Sequence, residues 1–472
     1  MRKLAALITI ALLVLLAACG GSSTTGGTPP PATQVKLNTT TASTLVGQTA
    51  QFTANIPVTW SIQEANGGTI SAGLYQAPWQ VGTFHVVAQS VADTTKSASA
   101  TVSVSAKFAF LRQASTQSTP LWTVTPMLGT INPDQSFTEN AINDSSGQPL
   151  QTSIYNIALS NDGAHAVFAM PSLTDSSAYY YTQNVYTAAS DGSAITQLTS
   201  NQSGDGVYDE WPQFSPDSKH IVYEHEVGSP SDNYVGGYMQ YVSSQIVIAD
   251  TSGQNKQVVI QGAADTNGST PYLVTMPSWS PDGSKIAFSI ERWSPSLRKW
   301  YLGIAVTSLD GSGLTQLTGE ENAKCAYGYD GWDFMPEFSN DGTKIGFMRE
   351  CWETGGNNLY TLSMIVNADG TNARILEGAP YPGHLSCEPT AVADKMIVST
   401  NSDYPGHGWF RLHNMDLNAG NDKILTGGQT YDGFSVWWIY YAAQSTAASR
   451  VTMIDPLQKR LWMRDSLRNH QH

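Results

Sequence analysis

Residues 277–289 read PSWSPDGSKIAFS, and close variants of this stretch recur along the chain. Pro212–Tyr223 reads PQFSPDSKHIVY, Pro336–Phe347 reads PEFSNDGTKIGF, and Ile157–Phe168 reads IALSNDGAHAVF. An apolar run ends at a bulky residue such as Phe214, Trp279 or Phe338, turn-forming residues follow, and an Ile-x-Phe-like run leads back. Proline presets φ, aspartate accepts hydrogen bonds from nearby backbone N–H groups, and glycine takes positive φ, so Ser-Pro-Asp-Gly predicts a tight hairpin.

A second turn separates these hairpins, in AASDGSAITQLTS (Ala188–Ser200), TSLDGSGLTQLTG (Thr307–Gly319) and VNADGTNARILEG (Val366–Gly378). Each unit therefore reads as four strands. Tandem units starting at Ile157, Pro212, Pro277, Pro336 and Pro389, roughly 60 residues apart, read as propeller blades rather than a solenoid. The copy at Pro389, PTAVADKMIVS, keeps Asp394 in place but has lost Ser-Pro and Gly. A more degenerate copy, YDGFSVWWIYYA (Tyr431–Ala442), resembles YDGWDFMPEF (Tyr329–Phe338). KFAFLRQ, Lys107–Gln113, looks like a second blade strand without its first. A C-terminal strand near Val436–Tyr441 is expected to supply it and close a ring of six blades, which removes exposed sheet edges.

Composition agrees with an all-β chain. Charged residues make up only 13%, while Gly, Ser, Thr and aromatics are plentiful, a balance that suits short strands and turns better than helix surfaces. The formal net charge is −14, or −16 without Arg2 and Lys3. An acidic surface repels phosphate backbones, and no basic stripe lies outside the C-terminal tail, so nucleic acid is not an expected partner.

Residues 1–19 read MRKLAALITIALLVLLAAC: a basic start, an apolar run too short for a comfortable bilayer span, then a cysteine. That is the layout of a secretory signal. Leu16-Ala17-Ala18-Cys19 resembles the lipobox of bacterial lipoproteins. The resemblance implies removal of signal peptide 1–18 and acylation of Cys19, whose chains hold a domain on a membrane at about 0.8 kcal/mol per buried methylene. Gly20, rather than Asp, follows the cysteine, which favours the outer membrane in a cell with two. Residues 19–33 are rich in Gly, Ser and Pro and read as a flexible tether.

Between 34 and 105 the apolar residues alternate: Val58, Trp60, Ile62; Phe84, Val86, Ala88; Ala100, Val102, Val104. Period-two runs between turns argue for an antiparallel sandwich with Trp60 in its core. Gly67–Val104, with its Gly-Leu-Tyr-x-Ala-Pro, Gly-Thr-Phe-x-Val and Ala-Asp-x-x-Lys-Ser-Ala elements, resembles bacterial Ig-like domains. That family implies a spacer or adhesive module. The blade repeats of residues 106–443 resemble those of the β-propeller of TolB and its WD40-like relatives. TolB carries an α/β domain where this chain has a sandwich, so a Tol–Pal role is not carried over. Related propellers also accompany serine peptidases, but no Gly-x-Ser-x-Gly elbow occurs in this sequence, and peptidase activity is not expected. The fold expected is an Ig-like β-sandwich followed by a six-bladed β-propeller with N-/C-terminal strand closure.

In such propellers the links between blades open on one face. Here they carry Tyr208, Asp209 and Trp211; Tyr329, Asp330 and Trp332; His384; and Asp432. Aromatic faces beside carboxylates suit a sugar, a peptide or a cationic group. The competing reading is that Trp211 and Trp332 wedge between blades while Asp209 and Asp330 cap loop N–H groups. Histidine spacing matches no zinc motif, and alternation places His225 opposite Glu224 and Glu226, so no metal, cofactor or catalytic residue is expected. In an oxidising envelope Cys325 and Cys351, which flank one hairpin, are the first choice for a disulfide. The tail 444–472 gathers Arg450, Lys459, Arg460, Arg464 and Arg468, and Asp455-Pro456 can start a short helix. Together these readings describe a lipid-anchored envelope protein whose propeller binds a protein or glycan without catalysis. The alternative is a carbohydrate-active lyase or hydrolase with its site at the channel mouth.

Overall fold

The computed structural model describes residues 34–78, 80–114, 124–152, 154, 156–171, 183–202, 206–228, 241–263, 272–294, 299–319, 330–339, 342–352, 359–375, 386–389, 395–400, 411–416, 423–424 and 430–433. Every regular element among them is a β-strand. The signal, tether, Cys19, Cys325 and basic tail lie outside these residues.

Two sheets form the first module. In one, Thr41–Leu45 runs parallel to residues 101–105 of the long strand Ser97–Ala114, which pairs antiparallel with Gly82–Ser90, which in turn pairs with Val58–Ile62. The other holds Thr49–Gln51, Leu74–Gln76 and Thr69–Ser71. Alternation sends Phe84, Val86, Val102 and Val104 inward onto Phe52 and Tyr75, with Trp60 partly buried against them. The strand Ser97–Ala114 does not stop at the edge of this module. Its second half pairs with Thr125–Ile131, and the same apolar core continues through Ala106 into Phe108, Phe110, Met127 and Ile131. Beside this crossing, Gln48 Nε2 donates to the Asn161 carbonyl at 3.1 Å and Lys107 Nζ to the Gly163 carbonyl at 3.1 Å.

Five antiparallel units of four strands follow in chain order, the second and third joined into one eight-stranded sheet where Ala263 pairs with Tyr272. They are Ile157–Leu159, His165–Met170, Asn184–Ala189 and Thr196–Gln197; Val207–Phe214, His220–Gly228, Tyr241–Asp250 and Gln257–Ala263; and Tyr272–Trp279, Lys285–Ser294, Lys299–Ser308 and Thr315–Gln316. The last two are Asp330–Phe338, Lys344–Trp352, Leu359–Asn367 and Arg374–Ile375; and Ser386–Pro389, Lys395–Thr400, Arg411–Asp416 and Lys423–Ile424. The first strands end at Phe214, Trp279 and Phe338, where the turn reading puts them. Residues 106–114 pair with Thr125–Ile131, which pairs with Phe137–Ala141, and Thr430–Gly433 pairs with Leu111–Ala114. The segment meeting Lys107–Gln113 is thus a few residues before Val436–Tyr441, which lies outside the described residues.

Among the described residues, neighbouring sheets from 157 to 375 cover one another with apolar side chains. Val167, Val185 and Leu198 meet Phe214, Ile221 and Tyr223. Val222, Ile246 and Ile248 meet Val274, Phe288 and Ile290. Ala287, Ile304 and Leu317 meet Phe338, Ile345 and Phe347. Four-stranded antiparallel sheets stacked in sequence order are consistent with propeller blades.

Both turn types form as their residues require. Ser280 Oγ donates to Asp282 Oδ1 at 2.6 Å, the Ser284 N–H donates to the same oxygen at 3.0 Å, and Gly283 has φ +71°. These bonds hold Asp282 below the usual carboxylate range. In the equivalent turn Ser218 occupies the glycine position with φ +59°. An L-residue in the left-handed region costs about 1 kcal/mol, so Ser218→Gly is expected to raise stability by about 0.5–1 kcal/mol, read as a higher midpoint of urea unfolding. The second turn type interlocks neighbours: a Cβ on Gly253 would stand 2.3 Å from the Leu198 carbonyl of the preceding sheet, and one on Gly311 would stand 2.3 Å from the Val259 carbonyl.

Candidate functional site

The first strands of three consecutive sheets share one irregularity. The register slips between Glu210 and Gln213, between Thr275 and Ser278, and between Phe334 and Glu337. At each slip the residue before proline is left-handed: Trp211 at φ 54°, Met276 at 56° and Met335 at 51°. Proline disfavours the right-handed helical region for its predecessor, and a bulge bends and twists the strand locally. The residues just past the three prolines converge. Glu337 accepts hydrogen bonds from Gln213 Nε2 and, at 3.0 Å, from Ser278 Oγ. One carboxyl therefore ties together strands from three sheets. Loss of water pushes Glu337 up to about 7, against the pull of its two bonds.

Above the bulges, one cross-strand register position carries the charge. It holds Asp209 and His225 in the 207–263 sheet, Val274 and Ile290 in the 272–316 sheet, and Asp333 and Arg349 in the 330–375 sheet. Asp209 is 1% exposed. Its Oδ1 lies 2.7 Å from His225 Nδ1, and its Oδ2 accepts from Asn201 Nδ2 at 2.8 Å. Asp333, fully buried, receives Arg349 Nε at 2.6 Å and Nη2 at 2.8 Å, a bidentate fork of the kind that gives geometric specificity as well as energy. Burial still holds Asp333 above its ordinary range, although Arg349 and the Thr318 hydroxyl pull it down.

A third polar group fills the contact between the 207–263 and 272–316 sheets. Glu210, Glu224 and Glu226 are all buried, and they share a face with Val222, which packs against the sheet carrying Val274 and Ile290. Glu224 accepts from the Thr275 hydroxyl and, at 3.1 Å, from the Met276 N–H. Burial, then the neighbouring Glu226 and Glu210, raise Glu224 well above the ordinary carboxylate range.

Of the residues singled out in the sequence, Tyr208, Asp209 and Trp211 are buried on this first-strand level. Trp332 is partly buried, edge-on to Phe334 with ring centroids 6.5 Å apart. Asp330 opens its strand opposite Trp352, Cys351 pairs with Gly331, and Asp432 pairs with Arg112; the side chains of Asp330, Cys351 and Asp432 lie outside the described set. So do Tyr329, His384 and Cys325. The residues that sequence reading passed over are Gln213, Ser278, Glu337 and Arg349. Their one visible signal is position: Gln213, Ser278 and Glu337 each directly follow the repeat proline. His225 does fall on the opposite face from the buried Glu224 and Glu226, as alternation requires. Among the described residues no three or more His, Cys, Asp or Glu are grouped to hold a metal ion.

No protein-family model and no curated protein matches the chain. Among solved structures, Kuenenia stuttgartiensis hydrazine synthase aligns over 70% of this chain and 46% of its own at 13% identity, with a TM-score of 0.46. The tricorn protease aligns over 82% and 37% at 10% identity and a TM-score of 0.39. Pyrococcus horikoshii acylaminoacyl peptidase aligns over 73% and 51% at 13% identity and a TM-score of 0.35. The chain spans about half or less of the length of each. The similarity is distant and concerns fold alone.

Proposed function

We propose that the protein is a lipid-anchored component of a bacterial cell envelope, most simply at an outer membrane, whose propeller binds a protein or glycan partner without catalysis. In this reading Cys19 carries the anchor, residues 34–105 form an Ig-like spacer, and six TolB-like blades form a ring joined where Thr430–Gly433 pairs with Leu111–Ala114. One observation carries the binding reading over the enzyme reading. The polar groups on the first strands are engaged within the protein: Asp209 with His225 and Asn201, Asp333 with Arg349, Glu224 with Thr275, and Glu337 with Gln213 and Ser278. They serve the fold, within one sheet or between neighbours, and in this reading the partner meets the links that the sequence marks as aromatic and acidic.

The test is thermal unfolding of the chain from Gly20 onward against a panel of envelope glycans, with divalent metals and EDTA in parallel. A ligand at a hundredfold excess over its dissociation constant adds about 2.7 kcal/mol. A glycan is expected to raise the midpoint in the wild type and not in Trp332→Ala. A metal-dependent rise reversed by EDTA, with glycan cleavage, would replace this reading by the lyase or hydrolase one.

A further inference from the structure

The first module keeps one sheet edge open. Val58–Ile62 reads VTWSI and stands last in its sheet, paired with Gly82–Ser90 without a register shift. The bonds at its two ends fix which way its backbone faces. The Val91 N–H donates to the Pro57 carbonyl at 3.1 Å, and the Gln63 N–H donates to the His85 carbonyl at 3.0 Å. Hydrogen-bonded and non-bonded positions alternate along an antiparallel pair, so Thr59 and Ser61 bond inward while the N–H and C=O groups of Val58, Trp60 and Ile62 point out from the edge. Among the described residues nothing bonds to those outward groups. Natural edges are blunted by charge, proline or a bulge, and this strand has none of the three. The opposite edge, Thr41–Leu45, is partly covered: Leu45 lies against the turn at Gly163, and Gln48 bonds to Asn161.

The open edge is complementary to itself. Read backward, VTWSI becomes ISWTV, so the order β-branched, hydroxyl, Trp, hydroxyl, β-branched is unchanged. Val58, Trp60 and Ile62 share the face turned to the core yet stay partly exposed, while Thr59 and Ser61 are exposed. We propose that Val58–Ile62 is a self-association edge, along which two copies of the chain pair antiparallel about a two-fold axis at Trp60. Val58 then sits opposite Ile62 of the second copy and Trp60 opposite its own counterpart. Each such pair exchanges both backbone bonds, about six in all. Thr59 falls opposite Ser61 of the second copy on the solvent face. A contact of this symmetry uses the same patch on both copies and closes on itself. Charge permits the approach: residues 34–105 carry Lys36, Lys96, Glu64 and Asp93, which cancel, whereas the whole chain carries −14. The module is therefore where two copies meet with least repulsion.

Sedimentation equilibrium of the full chain in density-matched detergent tests for the pair, and the wild type is expected to show a concentration-dependent monomer–dimer equilibrium. Thr59→Lys/Ser61→Lys sets like charges directly opposite one another across the two-fold axis, at exposed positions that leave the fold intact. It is expected to raise the dissociation constant roughly tenfold with an unchanged circular dichroism spectrum. Cysteines read the register. A non-hydrogen-bonded pair brings opposed Cα atoms to about 4.5 Å, within disulfide range. An oxidised mixture of Thr59→Cys and Ser61→Cys chains is thus expected to cross-link well above either variant alone, or above the wild type, whose own cysteines set the baseline. A monomer at every concentration, wild-type association in the Lys variant, or a mixture no better cross-linked than its components would overturn the proposal.

Discussion

Arg349→Met is expected to destabilise the protein by about 3–5 kcal/mol, the range for removing one partner of a buried ion pair. Asp333, fully buried, loses both prongs of the guanidinium fork and keeps only the Thr318 hydroxyl. Removing the cation pushes the Asp333 carboxyl, already raised by burial, higher still. The loss is therefore smaller in acid, where the carboxyl takes up a proton, and larger as pH rises. The chain itself supplies the control, because the equivalent register position one sheet earlier is Val274 facing Ile290. The double variant Asp333→Val/Arg349→Ile copies that pair, and it is expected to recover most of the stability lost in Arg349→Met. Denaturant unfolding of the three proteins at one pH reads the comparison. A double variant as unstable as the single one would mean that the fork is required for more than cancelling a charge.

Gly253→Ala is expected to cost about 3 kcal/mol, from overpacking of about 1–3 together with the left-handed backbone at about 1–2. Its φ is +79°, and the new methyl carbon would meet the Leu198 carbonyl at 2.3 Å. Gly283→Ala isolates the backbone part. Its φ is +71°, but the nearest atom to its Cβ is Pro216 Cδ at 3.9 Å, so about 1 kcal/mol is expected. Equal losses in the two variants, measured by calorimetry, would mean that the turns do not lock onto the preceding sheet.

The repeat was legible because a hairpin turn is decided by four adjacent residues, and Ser280, Asp282 and Gly283 each perform a local task. Strand alternation was legible for the same reason, down to His225 lying opposite Glu224 and Glu226. Partnership across strands was not. Asp209 meets His225, and Asp333 meets Arg349, only because a bulge at Trp211 and Met335 sets the rung on which each pair falls, and no local pattern announces a left-handed residue before proline. Glu337 is further removed still: its partner Gln213 belongs to a strand two sheets earlier, so the contact depends on how whole sheets stack. For Trp211 the sequence left two readings open, a face for a partner and a wedge between blades, because sequence carries no direct record of burial; the structure buries it, along with Tyr208.

The strand Ser97–Ala114 has a mechanical consequence. A load applied between the segment before Thr41 and the sheets after residue 106 pulls Thr41–Leu45 backward and the long strand forward. These two strands are parallel, paired from Thr41 with Thr101 to Leu45 with Ser105, so the pull shears the whole row of bonds at once instead of peeling them in turn. The first module therefore transmits tension as a stiff coupling.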